Sequence, residues 1–233
     1  KDVRLPILTS CCPGWVNFIE HNFPDMLDVP STAKSPQQMF GAIAKSYWAE
    51  KMGLNRKDIV VVSIMPCLAK KYECQRDEFK VNGNPDVDIV LSTRELAELI
   101  KTYNIDLKEV APQDFDDPLG ESTGAAVIFG ATGGVMEAAL RTAHKTITGK
   151  EAVPDAFKYV RADSENYPDV SANNGIKDGE VFTGQKKAAD FSIGDVVVRT
   201  CTVSGLGNAR KLMEAIKSGE EQVDFVEVMA CPG

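Results

Sequence analysis

The chain has 233 residues, 43% of them hydrophobic, and sets 26 Lys+Arg against 34 Asp+Glu for a formal net charge of -8 at pH 7. That length and apolar content suffice for one substantial core or two small adjoining ones. The acidic balance argues against nucleic acid or an anionic membrane surface as partner. No apolar run approaches the roughly 20 residues of a bilayer-spanning helix, and Lys1-Asp2-Val3-Arg4 opens no signal-peptide pattern.

Along the chain, short β-branched runs alternate with longer helical periods, which predicts an α/β architecture with largely parallel strands. The first strand is read at Val3 to Leu8. Ser35-Pro36 then gives an N-cap and a proline at the first helical position, leading through QQMFGAIAKSYWAEKM to a stop near Gly53. Strands follow at Ile59 to Ile64 and Val87 to Leu91, and Thr93 is expected to cap RELAELIKTY. The acidic stretch from Asp106 to Thr123, broken by Pro and Gly, reads as a connection between two lobes, approximately 1–115 and 116–233. Beyond it come a weaker strand at Ala125 to Phe129, a glycine-rich GATGG, and the helix VMEAALRTAHK. Asp163 to Gly184 is polar and reads as exposed loop or hairpin. A strand at Val196 to Thr200, the helix NARKLMEAIKSG ending in Gly219, and a strand at Phe225 to Met229 complete the order.

GATGG (Gly130 to Gly134) precedes a helix but fits neither G-x-G-x-x-G nor a P-loop. Close backbone packing is the better account of its glycines.

Six cysteines in a chain of this size do not make a disulfide framework. Their placement carries more information than their number: three predicted strands each run into a cysteine motif at their C-terminal end. Val3 to Leu8 leads to TSCCPGW, Ile59 to Ile64 to MPC, and Phe225 to Met229 to ACPG. Ligands of open α/β sheets gather outside the carboxyl ends of strands, so Cys11, Cys12, Cys67 and Cys231 are candidates to converge on one site. Soft thiolates suit iron–sulfur clusters, zinc or cuprous copper. Structural zinc usually draws on close C-x₂-C pairs, which are missing here, and buried inert thiols are the alternative for any one cysteine alone. Cys74 and Cys201 are read as structural, packed thiols.

TSCCPGW at Thr9 to Trp15, MPCLAKKYE at Met65 to Glu73 and EVMAC at Glu227 to Cys231 resemble the three signature segments of iron-only (FeFe) hydrogenases. STAKSPQQ (Ser31 to Gln38) and IFGATGGVMEAALR (Ile128 to Arg141) resemble the same family, so that the likeness runs in order along essentially the whole chain. It implies two lobes of mainly parallel twisted sheet flanked by helices, with a metal cluster in the cleft between them. It also implies an H-cluster: a four-iron four-sulfur cubane joined through a cysteine to a diiron unit bearing carbon monoxide, cyanide and a bridging dithiolate. By the resemblance Cys12, Cys67 and Cys231 are cubane ligands, and a fourth, bridging cysteine is expected shortly after MACPG, beyond Gly233.

Cys11 corresponds to the family's first proton carrier, a role that a thiol with an ordinary pKa near 8.5 can perform. Lys70 matches the lysine that binds an iron-bound cyanide, whereas Lys71 reads as a surface residue. Met65 and Met229 resemble thioethers around the diiron unit, with ordinary core as the alternative for each. Gln37 and Phe129 resemble pocket-lining residues, and Ser31 a member of the proton path. The implied activity is reversible reduction of protons to dihydrogen, with electrons exchanged through ferredoxin or accessory iron–sulfur clusters and with maturation proteins as further partners. A hydrogenase-like iron–sulfur assembly or sensory protein without turnover is the alternative. The resemblance further implies upstream iron–sulfur domains and inactivity of these 233 residues alone; a cytoplasmic location is favoured over a periplasmic one.

Overall fold

In a computed structural model, residues 5–121, 124–154, 156–157, 160 and 186–231 are described. They fall into two compact units, one of residues 1–32 with 122–233 and one of residues 33–121. The sequence-based division near residue 115 is thereby replaced by two chain crossings. Its cause is non-local: β1 (Ile7–Leu8) pairs in parallel with β8 (Phe225–Met229), which places the first 32 residues with the C-terminal part of the chain.

The first unit is built on a four-stranded sheet in the order β1-β8-β7-β6. Strands β1, β8 and β7 (Val196–Ser204) are mutually parallel, and β6 (Lys186–Ile193) closes the edge antiparallel to β7. Helix α1 (Pro13–Asn22) follows β1, and α8 (Leu206–Ser218) forms the return from β7 to β8. Leu8, Trp15, Ile19, Val203, Leu212, Met213 and Val226 pack as one core between them. A second cluster joins Met136 and Leu140 of α7 (Gly134–Thr148) to Phe157 and Ile193.

The second unit opens with α2 (Pro36–Ile43), a π-helical turn (Ala44–Trp48) and α3 (Ala49–Met52). The expected single helix to Gly53 thus carries a π segment in its middle, and Gly53 ends it in the left-handed conformation with φ 67°. Strands β2 (Val62–Met65) and β5 (Ile89–Ser92) pair in parallel, with α4 (Ala69–Glu73) and the small hairpin β3 (Lys80–Val81) and β4 (Asn84–Pro85) between them in sequence. Helix α5 (Thr93–Thr102) is capped by Ser92, not Thr93: the Ser92 hydroxyl accepts the Glu95 N–H while the Glu95 carboxylate reaches back to the Ser92 N–H. Buried Asp86 ties this unit together by ion pairs to Lys34 and Arg56, and buried Lys45 of the π turn meets Asp88 at 2.6 Å. Each carboxylate is matched, as buried charge requires.

Ala125 to Phe129 is not a strand; Ala125–Ile128 forms a short helix, α6, entered through Gly124 at φ 80°. Short apolar runs do not distinguish the two states by periodicity. Cys201 lies inside β7, which continues four residues past Thr200. The loop reading for Asp163 to Gly184 falls outside the described residues, as do Val3 and Arg4 of the first strand. Parallel strands with flanking helices are what the sequence pattern implied.

Candidate metal centre

In the first unit TSCCPGW is folded into a rigid turn. The Thr9 N–H donates to the Val226 carbonyl at 2.9 Å, its hydroxyl oxygen accepts the Val228 N–H at 3.1 Å, and its carbonyl accepts the Trp15 indole N–H at 3.0 Å. Pro13 takes the first position of α1 and Cys12 is its N-cap, with extended φ and ψ of -96° and 106°. The Cys12 sulfur therefore sits at a helix N-terminus. It accepts the Ala230 N–H at 3.3 Å, and the N–H groups of Trp15 and Gly14 also favour its thiolate. Burial nevertheless pushes the free thiol's pKa up, and the nearby Cys231 adds to the rise.

Gly14 keeps this approach close: a Cβ there would stand 3.0 Å from that of Ala230, which would have to give by a few tenths of an ångström. Adjacent parallel strands β1 and β8 thus deliver Cys12 and Cys231 to one end of one sheet. Cys11 is half-buried beside Cys12, and Cys231 is exposed. Ser31 is held against the same strand, since its N–H donates to the Leu8 carbonyl at 2.7 Å next to the Leu8–Pro30 bridge. Met229 is half-buried and packs against the first core, and Phe129 is 37% exposed.

Glu227, within EVMAC, is a structural residue that the sequence reading did not single out. It is 1% exposed, and its two carboxylate oxygens accept the N–H groups of Gly133 at 2.7 Å and Met136 at 2.8 Å. The sheet strand that carries Cys231 is so bonded to the start of α7 and to GATGG. Burial raises the Glu227 pKa, against the pull of the backbone donors. The available signal was an acid in the middle of an otherwise apolar strand, FVEVM.

In the second unit β2 runs into Pro66 and Cys67, whose side chain is exposed. Met65 packs half-buried against the Val61, Val87 and Val90 cluster. Lys70 is 6% exposed and pairs with Glu73 at 3.1 Å. Lys71 is an outer residue paired with Glu95 at 2.6 Å, as expected. Gln37 donates to Glu73 at 2.7 Å. Cys74 is buried and bonded to the Lys71 carbonyl, in keeping with a packed thiol. Among the described residues no three Cys, His, Asp or Glu side chains form a group that could hold a single metal ion; the two candidate ligands brought together are Cys12 and Cys231.

An α/β framework with cysteine thiols at the carboxyl ends of parallel strands defines the class. The family model for the iron only hydrogenase large subunit, C-terminal domain, matches residues 1–233, and the chain belongs to that family. It is 57% identical to NADP-reducing hydrogenase subunit HndD of Solidesulfovibrio fructosivorans, over 100% of this chain and 36% of that protein. With the periplasmic [Fe] hydrogenase large subunit of Nitratidesulfovibrio vulgaris it shares 43% identity, over 100% of this chain and 51% of that one. A solved variant of [FeFe]-hydrogenase HydA1 from Chlamydomonas reinhardtii superposes with a TM-score of 0.72 at 36% identity, covering 98% of this chain and 60% of that one. A probable cytosolic Fe-S cluster assembly factor from Drosophila mojavensis is 30% identical over 98% of this chain and 46% of that protein. The chain thus spans about a third to a half of the length of these curated relatives.

The donor set fits an iron–sulfur group. Cluster thiolates are tuned by hydrogen bonds to their sulfurs, and Cys12 receives such bonds at a buried position where burial opposes the free thiolate.

Proposed function

We propose that this chain is the major part of the protein framework around an H-cluster in a hydrogenase that reversibly reduces protons to dihydrogen. The observation that carries this reading is the placement of Cys12 and Cys231 at one end of the parallel sheet, with an N–H to sulfur bond at Cys12 and the Cys11 thiol next to it. Cys12, Cys67 and Cys231 serve as thiolate ligands of the cubane. When bound, the cluster supplies the redox chemistry, and the protein supplies ligation, orientation and proton handling.

Within that division of labour, Cys11 passes the proton at its sulfur, with Ser31 behind it in the proton path. Lys70 offers an ammonium to a cyanide ligand. Met65 and Met229 contribute soft, apolar surface that keeps water away, and the family likeness gives Gln37 and Phe129 lining roles. Electrons come from ferredoxin or another iron–sulfur carrier, and assembly depends on maturation proteins. The relative named as an assembly factor supports a second reading, an iron–sulfur protein without turnover.

The test is hydrogen evolution and oxidation by the anaerobically matured full-length protein and its Cys11→Ser variant. Loss of a positioned proton carrier is expected to cost roughly 100-fold or more, with cluster content unchanged. Equal rates in the variant would remove Cys11 from the mechanism. An iron-loaded parent inert in both directions would favour assembly or sensing.

A further inference from the structure

Glu73 is the most heavily hydrogen-bonded buried side chain in the second unit that the functional reading leaves without a role. It is 3% exposed. Its Oε1 lies 3.1 Å and its Oε2 3.3 Å from the Lys70 ammonium. Oε2 also accepts the Ser35 hydroxyl at 2.8 Å and the Gln37 amide N–H at 2.7 Å. Four contacts from three side chains are an unusual concentration for one carboxylate, and Ser35 and Lys70 are themselves buried.

The covalent frame explains why they meet. Lys70 and Glu73 stand at i and i+3 on α4, so they share one face. Ser35 is the N-cap position of α2 and Gln37 lies in its first turn. Glu73, the last residue of α4, thus ties that helix to the start of α2, and it holds two residues proposed to face the cluster. Its hold on Gln37 is directional. Because the amide nitrogen is engaged by Glu73, the amide oxygen is turned elsewhere, and Oε1 is buried with no hydrogen-bond partner among the described residues. An isolated buried ammonium would be costly; the Glu73 carboxylate, 3.1 Å away, is its buried counter-charge and fixes its direction.

We infer that Glu73 is a positioning residue of the reaction centre: it orients the Lys70 ammonium and the Gln37 amide before any cluster is bound. This rests on the proposed hydrogenase reading. It assigns Glu73 no contact with the reacting atoms.

The experiment uses the full-length protein with ¹⁵N-labelled lysine, and compares the parent, Glu73→Gln and Glu73→Asp. In the cluster-free protein the Lys70 ammonium, identified by its loss in Lys70→Gln, is expected to give a slowly exchanging proton signal. That signal should vanish in Glu73→Gln and survive, broadened, in Glu73→Asp, which retains the charge. If Glu73→Gln does not fold by circular dichroism, the comparison of parent with Glu73→Asp decides, since the shorter side chain holds Lys70 less closely and the ammonium signal must broaden. After maturation the cyanide stretching bands of the variant should shift while cluster content stays parental, and turnover should fall roughly 10–100-fold, with KM for the electron donor unchanged.

An ammonium signal indifferent to both substitutions overturns the inference. So do parental cyanide bands and parental turnover in a variant that has lost the signal, since Glu73 would then be a structural ion-pair partner only. If the parent shows the ammonium signal but no cyanide bands after maturation, the hydrogenase reading itself has failed, and the positioning role falls with it.

Discussion

Replacing Gly134 by alanine tests the tie between GATGG and the strand that carries Cys231. A Cβ built on Gly134 would stand 1.7 Å from the Ile128 carbonyl oxygen and 2.6 Å from its carbon. A carbon needs about 3.3 Å from such an oxygen, so the two backbones must part by roughly 1.6 Å. Neither is free to move cheaply. Gly134 begins α7, whose flanking N–H groups at Gly133 and Met136 are fixed by the buried Glu227 carboxylate. Overpacking of this kind costs about 1–3 kcal/mol, and a strained or lost bond to Glu227 adds about 1 kcal/mol. We therefore expect roughly 2–4 kcal/mol of destabilisation, or some 4–16 °C in Tm.

The control lies in the same motif. At Gly130 the nearest atom to an added Cβ is the Val127 carbonyl oxygen, at 3.7 Å, and alanine there should change stability by less than about 0.5 kcal/mol. The assay is urea unfolding followed by tryptophan fluorescence in a Trp48→Phe background, so that buried Trp15 reports on the first unit. Equal stability of both variants, or a larger loss for Gly130→Ala, would refute the packing argument.

Glu227→Ala leaves two buried backbone N–H groups without their acceptors, and should cost about 3 kcal/mol in the same assay, whereas Glu227→Gln, which keeps one oxygen, should cost about 1 kcal/mol. Glu95 gives the pH dependence: a hydrogen bond from Lys71, aided by the Ser92 cap, holds its pKa down at about 2, against the ordinary 4.5. A depressed acid stabilises the fold above its unfolded pKa and loses that contribution as pH falls through the folded one. The difference in urea midpoint between the parent and Glu95→Gln should accordingly be constant above pH 5 and close as pH falls toward about 2. A gap that widened in acid would contradict the assignment.

Much of this architecture is readable from local signals. Phe225–Met229 is a strand over the expected residues, and Gly53 and Gly219 end their helices at φ 67° and 79° because only glycine enters that conformation without strain. The packing role of GATGG is visible in its departure from phosphate-loop spacing, and Gly134 shows what the glycine is for. Helix α1 escaped because Pro13-Gly14 looks like a break, whereas the proline is its first residue.

Two hairpins were written in the sequence but not read. Asn82-Gly83, with φ 51° and 79°, turns β3 into β4, and Gly194-Asp195, with Gly194 at φ 60°, turns β6 into β7. Three features lie beyond local reading. The pairing of β1 with β8, the grip of Glu227 on α7 and the meeting of Ser35, Gln37 and Glu73 all join residues far apart in the chain. The thiols at the strand ends were legible, since each ends a β-branched run; the N–H donors at Cys12 were not, because Gly14 and Trp15 belong to a helix that had not been recognised and Ala230 lies far along the chain.

The central claim is that this framework holds an H-cluster, and the most direct test is the infrared spectrum of the anaerobically matured full-length protein in the region of metal-bound carbon monoxide and cyanide stretches. Sharp bands there, lost when Cys12 or Cys231 is replaced by alanine, are the result this account predicts. Cubane signals in electron paramagnetic resonance with an empty infrared window, after maturation proven on a known hydrogenase in parallel, would contradict it.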